Sequence, residues 1–154
     1  VSLLQSAGEI AADIKARLQT RTISQGAETD IGVRVLLGKR SIDKTQIPCV
    51  VIIEGDDMPD SANSRTKYQI EQRYALLAYL PCDIDNPNTA AHAAIRDMKR
   101  AIFTTEGVAD HKLNDQVKAV EYLGRDIGPR ADGEAFVLAI IEVSVTYVED
   151  VATP

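Results

Sequence analysis

The segment Phe136–Val148 limits the fold more than any other part of the chain. Val137, Ala139, Ile141, Val143, Val145 and Tyr147 fall on one side of a period-two pattern, with Glu142, Ser144 and Thr146 on the other. Side chains alternate across a strand but recur every third or fourth residue on a helix, so only an extended segment sorts these residues by polarity. At the usual rise it reaches roughly 43 Å. A strand that long outruns the core of one small domain. Its edges must be paired or covered, and oligomerisation is one way to do so.

A second long strand is expected at Lys67–Leu80. In its first half Tyr68, Ile70 and Tyr74 alternate with Gln69, Glu71 and Arg73, giving one wet face, whereas Ala75–Leu80 is apolar on both faces. That change predicts a strand half covered by helices and half projecting beyond them. Cys49–Glu54 is apolar, rich in β-branched residues and bounded by Pro48 and Gly55, which marks a buried strand. Gly32–Leu37 reads as a first strand, joined to it through a polar hairpin connection at Ser41–Gln46. Gly55–Thr66 is polar, acidic and without periodicity, so a long exposed loop is expected there. Val117–Leu123 alternates weakly and is expected to be a strand closed by Gly124, followed by a turn over Gly128–Gly133.

Two helices complete the pattern. Leu3, Ala7, Ile10, Ile14 and Leu18 recur at steps of three and four, predicting a helix over Leu3–Thr20 with Ser2 and Gln5 as a capping box. Gly26 and Gly32 punctuate its exit. Asn86-Pro87 is a cap followed by proline at the first helical position, and Ala91, Ile95, Met98 and Ile102 carry the apolar face of a helix over Asn88–Phe103. The predicted order is α-β-β-β-α-β-β, an α+β fold with a mainly antiparallel sheet and both helices on one face. Neither an internal repeat nor a linker breaks residues 1–154, so one domain is expected.

Composition narrows the function. The 154 residues carry a net charge of −6, which disfavours a nucleic-acid grip built on clustered Lys and Arg. Apolar runs such as Ala75–Leu80 fall far short of the ~20 residues that span a bilayer, and no membrane partner is expected. The N-terminal residues lack a basic region ahead of an apolar stretch, so no signal peptide is expected. Cys49 and Cys82 sit in or beside apolar runs and read as small hydrophobes, consistent with synthesis in a reducing cytoplasm.

Catalytic patterns are weak. Asp60 followed by Glu71-Gln72-Arg73 loosely matches a metal-dependent nuclease arrangement of two carboxylates and a nearby cation. Arg73 stands where such sites carry lysine, and short matches of this kind arise often by chance. Asp83-Ile84-Asp85-Asn86 starts like a calcium loop but has Asn88 and Ala94 where glycine and an acid are needed. Cys49, Cys82, His92 and His111 follow no zinc spacing. His92 shares a helix face with Arg96 and Lys99, the pattern of a solvated basic stripe. No catalytic residue, cofactor or metal site is expected.

The order of elements, from the helix at Ser2–Thr20 through Gln72–Leu80 and Ala90–Phe103 to the strands Val117–Gly124 and Phe136–Glu149, resembles the tail terminator family of long-tailed bacteriophages. The resemblance spans nearly the whole chain and rests on order and texture, with no diagnostic motif. It implies a virion structural protein, made in the host cytoplasm and placed at the tail or neck. Six copies would form a ring that caps the finished tail tube, ends tube polymerisation and presents the surface to which the head attaches. The implied partners are further copies of the chain, the tail tube protein and a neck or head-completion protein, with DNA passing through without specific binding. Another neck or head-completion connector is the nearest alternative, ahead of a small metal-dependent hydrolase using Asp60 and Glu71, or a regulatory adaptor domain.

In such a ring Asp56, Asp57 and Asp60 are candidates to line the channel, where acid would repel passing DNA; an ordinary solvated loop accounts for them equally well. Arg65, Arg73, Arg96 and Lys99 are candidate contacts between subunits. Surface ion pairs are individually weak, so the apolar edges of Lys67–Leu80 and Phe136–Val148 are the expected main source of affinity.

Overall fold

A computed structural model describes residues 3–4, 6–59, 66–128 and 135–152. The first helix, α1, spans Ala7–Leu18. Its cap is Ser6, whose hydroxyl accepts from the backbone N–H of Glu9 at 3.2 Å and donates to the Glu9 carboxylate at 3.2 Å. The expected cap at Ser2 and Gln5 lies outside the described residues. Ile10, Ile14 and Leu18 are buried as their spacing requires, while Leu3, ahead of the helix, is exposed.

Five strands form the main sheet, in the order β1 (Val35–Leu37), β2 (Cys49–Pro59), β3 (Lys67–Pro81), β7 (Phe136–Asp150) and β6 (Ala119–Ile127). β3 and β7 are paired along their full length, from Lys67 opposite Asp150 to Pro81 opposite Phe136. They occupy the centre of the sheet, with β2 along Ile70–Tyr79 of β3 and β6 along Ala139–Thr146 of β7 on their outer sides. Over those stretches the strand edges expected to drive association are taken up within the sheet.

The first connection also departs from expectation. β1 runs parallel to β2, with Val35 opposite Val50, so residues 38–48 carry the chain back and form no hairpin. The strand itself is Val35–Leu37, shorter than expected because Ile31–Val33 forms a 3-10 turn. Gly32 there lies so close to α1 that a Cβ would sit 2.4 Å from the Leu18 carbonyl oxygen and 2.8 Å from that of Arg21. The returning segment holds its own turn at Lys44–Gln46, capped by Asp43.

β2 continues through Pro59, where a loop was expected from Gly55. Glu54 faces Tyr74 and Asp57 faces Gln72, leaving an extra residue on β2. That bulge is closed by the amide of Gln72, whose Nε2 donates to the Gly55 carbonyl at 2.5 Å and to that of Arg73 at 3.1 Å. Gln72 is itself buried. β6 carries a second bulge between Tyr122 and Gly124, with Gly124 at φ 141. The glycine expected to end this strand instead kinks it, as an isolated glycine within a strand often does.

The second helix, α2, spans Pro87–Phe103 and buries Ala91, Ala94, Ile95, Met98, Ala101 and Ile102. Both helices contribute to one apolar cluster with Val50, Ile52, Ile70, Tyr74, Leu76, Val143, Val145 and Tyr147. The even-numbered residues of β3 from Ile70 to Leu80 are buried on this side along nearly the whole strand. On the opposite side Ala75, Leu77 and Tyr79 are only half-buried, so the apolar half of β3 lies under no helix on that face. This replaces the expected division into a covered and a projecting half.

α2 leads into a two-stranded ribbon, β4 (Thr104–Thr105) paired with β5 (Val108–Ala109). After it comes a turn in which Leu113, Asn114 and Asp115 have φ of 47°, 60° and 60°. Non-glycine residues seldom enter this region, at a cost of roughly 1–2 kcal/mol each. Two features hold the turn: Leu113 is fully buried in the core, and Asp110 accepts backbone N–H groups of Lys112 (2.9 Å) and Asn114 (2.5 Å).

Candidate assembly surfaces

Of the acids proposed for a channel, Asp56 and Asp57 stand exposed at the bulge of β2; Asp60 lies outside the described residues. Burial pushes the Tyr147 phenol up to about 12, and the charges of Glu149 and Asp57 add to the effect. Asp57 therefore lies near the end of β7 as well as on β2. No described strand pairs with β2 on its outer side beyond Ile52, so the segment Glu54–Pro59 is a free edge carrying three carboxylates.

The proposed basic contacts are dispersed. Arg65 lies outside the described residues. Arg73 is exposed on β3 across from the bulge, with its Cβ 3.3 Å from where a Gly55 side chain would begin. Arg96 meets Glu28 at 3.7 Å on an exposed surface, a pairing worth at most about 1 kcal/mol. The ammonium of Lys99 sits 4.1 Å from the centre of the Tyr122 ring, a cation–π geometry. His92 approaches Arg125 at 3.2 Å. The face read as a simple solvated stripe thus has partners within the chain, on β6 and in the segment after α1.

Three features were missed by the sequence reading. The first is Asp97 on α2, a buried carboxylate that receives hydrogen bonds from the backbone of Glu28 and from Thr29. The second is Arg17. Its guanidinium pairs with Asp13 at 2.9 Å and donates to the carbonyls of Thr104 (3.1 Å) and Ala101 (3.4 Å), tying α1 to the end of α2. The i,i+4 spacing of Asp13 and Arg17 was visible in the sequence; the contact with α2 was not.

The third is a cleft of about 440 Å³ where the C-terminal turns of α1 and α2 meet the left-handed turn. Arg17, Arg21 and Arg100 line it, along with Asp13, Glu106, Asn114 and Gln116. The side-chain oxygen of Gln116 is buried without a hydrogen-bond partner among the described residues. A second, more apolar cleft of about 650 Å³ lies between Ile23, Pro48, Leu80 and Ala90. Cys82 borders that cleft, Cys49 is fully buried, and no disulfide joins them.

Together these features define an α+β protein whose described helices pack on one face of a mainly antiparallel sheet, with an acidic stretch on β2 that no described strand pairs on its outer side and an arginine-lined cleft on its surface. Among known proteins, one solved structure described as the virion of a native gene transfer agent (GTA) particle contains a chain of similar fold, with a TM-score of 0.53. The two share 10% sequence identity, and the match covers 89% of this chain and 96% of the other. At that identity the likeness is one of fold. No protein-family model matches the chain, and no curated protein matches its sequence.

Proposed function

We infer that this chain is a virion structural protein, and that it acts as a tail terminator: a ring, of six copies on the resemblance noted above, that caps the tail tube and offers the head its joining surface. The observation that carries this reading is the fold shared with a component of a gene transfer agent virion over nearly the full length of both chains. The arrangement of charge supports assembly over catalysis. Two ion pairs found among the described residues are Arg17–Asp13 and Arg96–Glu28. The phenols most weakened as acids are those of Tyr74 and Tyr147, where burial is the leading cause, as expected of core tyrosines.

A closed ring uses head-to-tail contacts in which two different surfaces of one subunit meet. The mass of the purified chain in solution, alone and with tail tubes, tests the reading, with imaging of the tube ends. A ring, or a monomer that becomes a ring at one tube end, is the expected result. A ring that binds portal-side components and ignores tubes would assign the protein to the neck instead. A monomer indifferent to tubes would remove both.

A further inference from the structure

We propose that the arginine-lined cleft between α1 and α2 receives the acidic free edge of β2 from a second copy of the chain, and that this contact joins neighbouring subunits. The proposal rests on the ring reading and specifies its interface.

The cleft has the chemistry of a receptor for an acidic strand. Arg17, Arg21 and Arg100 set three guanidiniums against two carboxylates, Asp13 and Glu106, and Asp13 is already engaged by Arg17. Guanidinium groups suit carboxylate partners because their planar fork offers paired donors. Gln116, whose buried side-chain oxygen finds no partner among the described residues, forms part of the cleft wall. The wall bearing Asn114 and Gln116 follows the turn in which Leu113, Asn114 and Asp115 are left-handed. Backbone held in this costly conformation by core packing tends to mark functional surfaces.

The outer edge of β2 supplies the complementary groups. Glu54, Asp56 and Asp57 are exposed, and no salt bridge within 4.0 Å engages them among the described residues. No described strand pairs with β2 on its outer side beyond Ile52. The bulge and Pro59 break the regular ladder there, which disfavours simple strand-to-strand addition and suits insertion into a cleft. None of Glu54–Pro59 lines the cleft within one chain, so cleft and edge are different surfaces. Their union between copies is head-to-tail, as ring closure requires.

Charge reversal on the full chain tests this, with mass measured by light scattering over a range of concentrations. Arg21→Glu with Arg100→Glu is expected to weaken association at least tenfold, and so is Asp56→Lys with Asp57→Lys. Combining all four on one chain restores the opposite charges and is expected to recover most of the assembly. Circular dichroism melts confirm that each variant folds. Should a reversed variant not fold, Arg21→Gln with Arg100→Gln and the salt dependence of its assembly take its place, with weaker association expected. If the wild-type chain forms rings and the variants form them equally well, the proposed contact is wrong while the ring stands. Rings that persist in the arginine variants but no longer bind tubes would assign the cleft to another virion protein and also overturn the proposal. A wild-type chain that never assembles removes both.

Discussion

The carboxylate of Asp97, buried in the middle of α2, accepts both the backbone N–H of Thr29 at 2.7 Å and its hydroxyl at 2.5 Å. It also accepts the N–H of Glu28 at 3.0 Å. One side chain thus anchors the segment that leaves α1 and leads towards β1. Replacing Asp97 with alanine strands these donors, each costing about 1–3 kcal/mol when buried and unmet. Asp97→Ala is expected to lower the urea midpoint by an amount equivalent to about 3 kcal/mol. Asp97→Asn keeps one acceptor oxygen and should fall between the two. Equal stability of Asp97→Ala and wild type would show that the anchor contributes nothing.

Gly32 presents a different constraint. Three backbone atoms of Leu18 and Arg21 lie within 3.0 Å of the place where its Cβ would be. Backbone yields far less easily than a flexible side chain, so Gly32→Ala is expected to destabilise the protein by about 1–3 kcal/mol through overpacking. Thermal unfolding measures it. Gly26→Ala makes a useful comparison, since at φ 96° it is strained by conformation, with no atom within 4 Å to be displaced.

Gln72 closes the β2 bulge by donating to the Gly55 carbonyl. A leucine there fills similar space without a donor. Gln72→Leu is expected to cost about 1–2 kcal/mol and to speed amide exchange in residues 54–57. Unchanged exchange would mean that strand pairing alone holds the bulge.

Asp110 links the turn to acid stability. Partial burial raises its pKa, but hydrogen bonds from the Thr105 hydroxyl and the N–H groups of Lys112 and Asn114, together with the charge of Arg17, outweigh that effect and hold it below the ordinary value. Its folded pKa is depressed, so its stabilisation is complete above the unfolded value of about 3.9 and is lost as pH falls through the folded value. Asp110→Asn should therefore be less stable than wild type at pH 7, with the gap closing as the pH falls below the ordinary aspartate range. A gap that is constant with pH would exclude the charge as the cause.

The candidate surfaces were only partly legible in the sequence. The charge run singles out Asp56 and Asp57, and the structure leaves both exposed. Their place on a strand was hidden, because Gly55–Pro59 has the composition of a loop and is drawn into β2 by pairing with Ile70–Gln72. Arg17, Arg21, Arg100 and Gln116 gave no joint signal, since they come from α1, the segment just after it, α2 and the turn beyond β5, and meet only when the helices dock.

What the sequence determined by itself was whatever local period controls. The apolar faces of α1 and α2, the lengths of β3 and β7, and the inward side of β7 all follow from spacings of two or of three to four, which fix the side of an element that must leave water. The tertiary structure decided what depends on partners distant in the chain. It paired Lys67 with Asp150 and made β3 and β7 central, turned β1 parallel to β2, and buried Gln72 and Asp97 where their hydrogen bonds are met. Pairing and burial of this kind are set by contacts between remote segments, and no window of local sequence contains both members of such a contact.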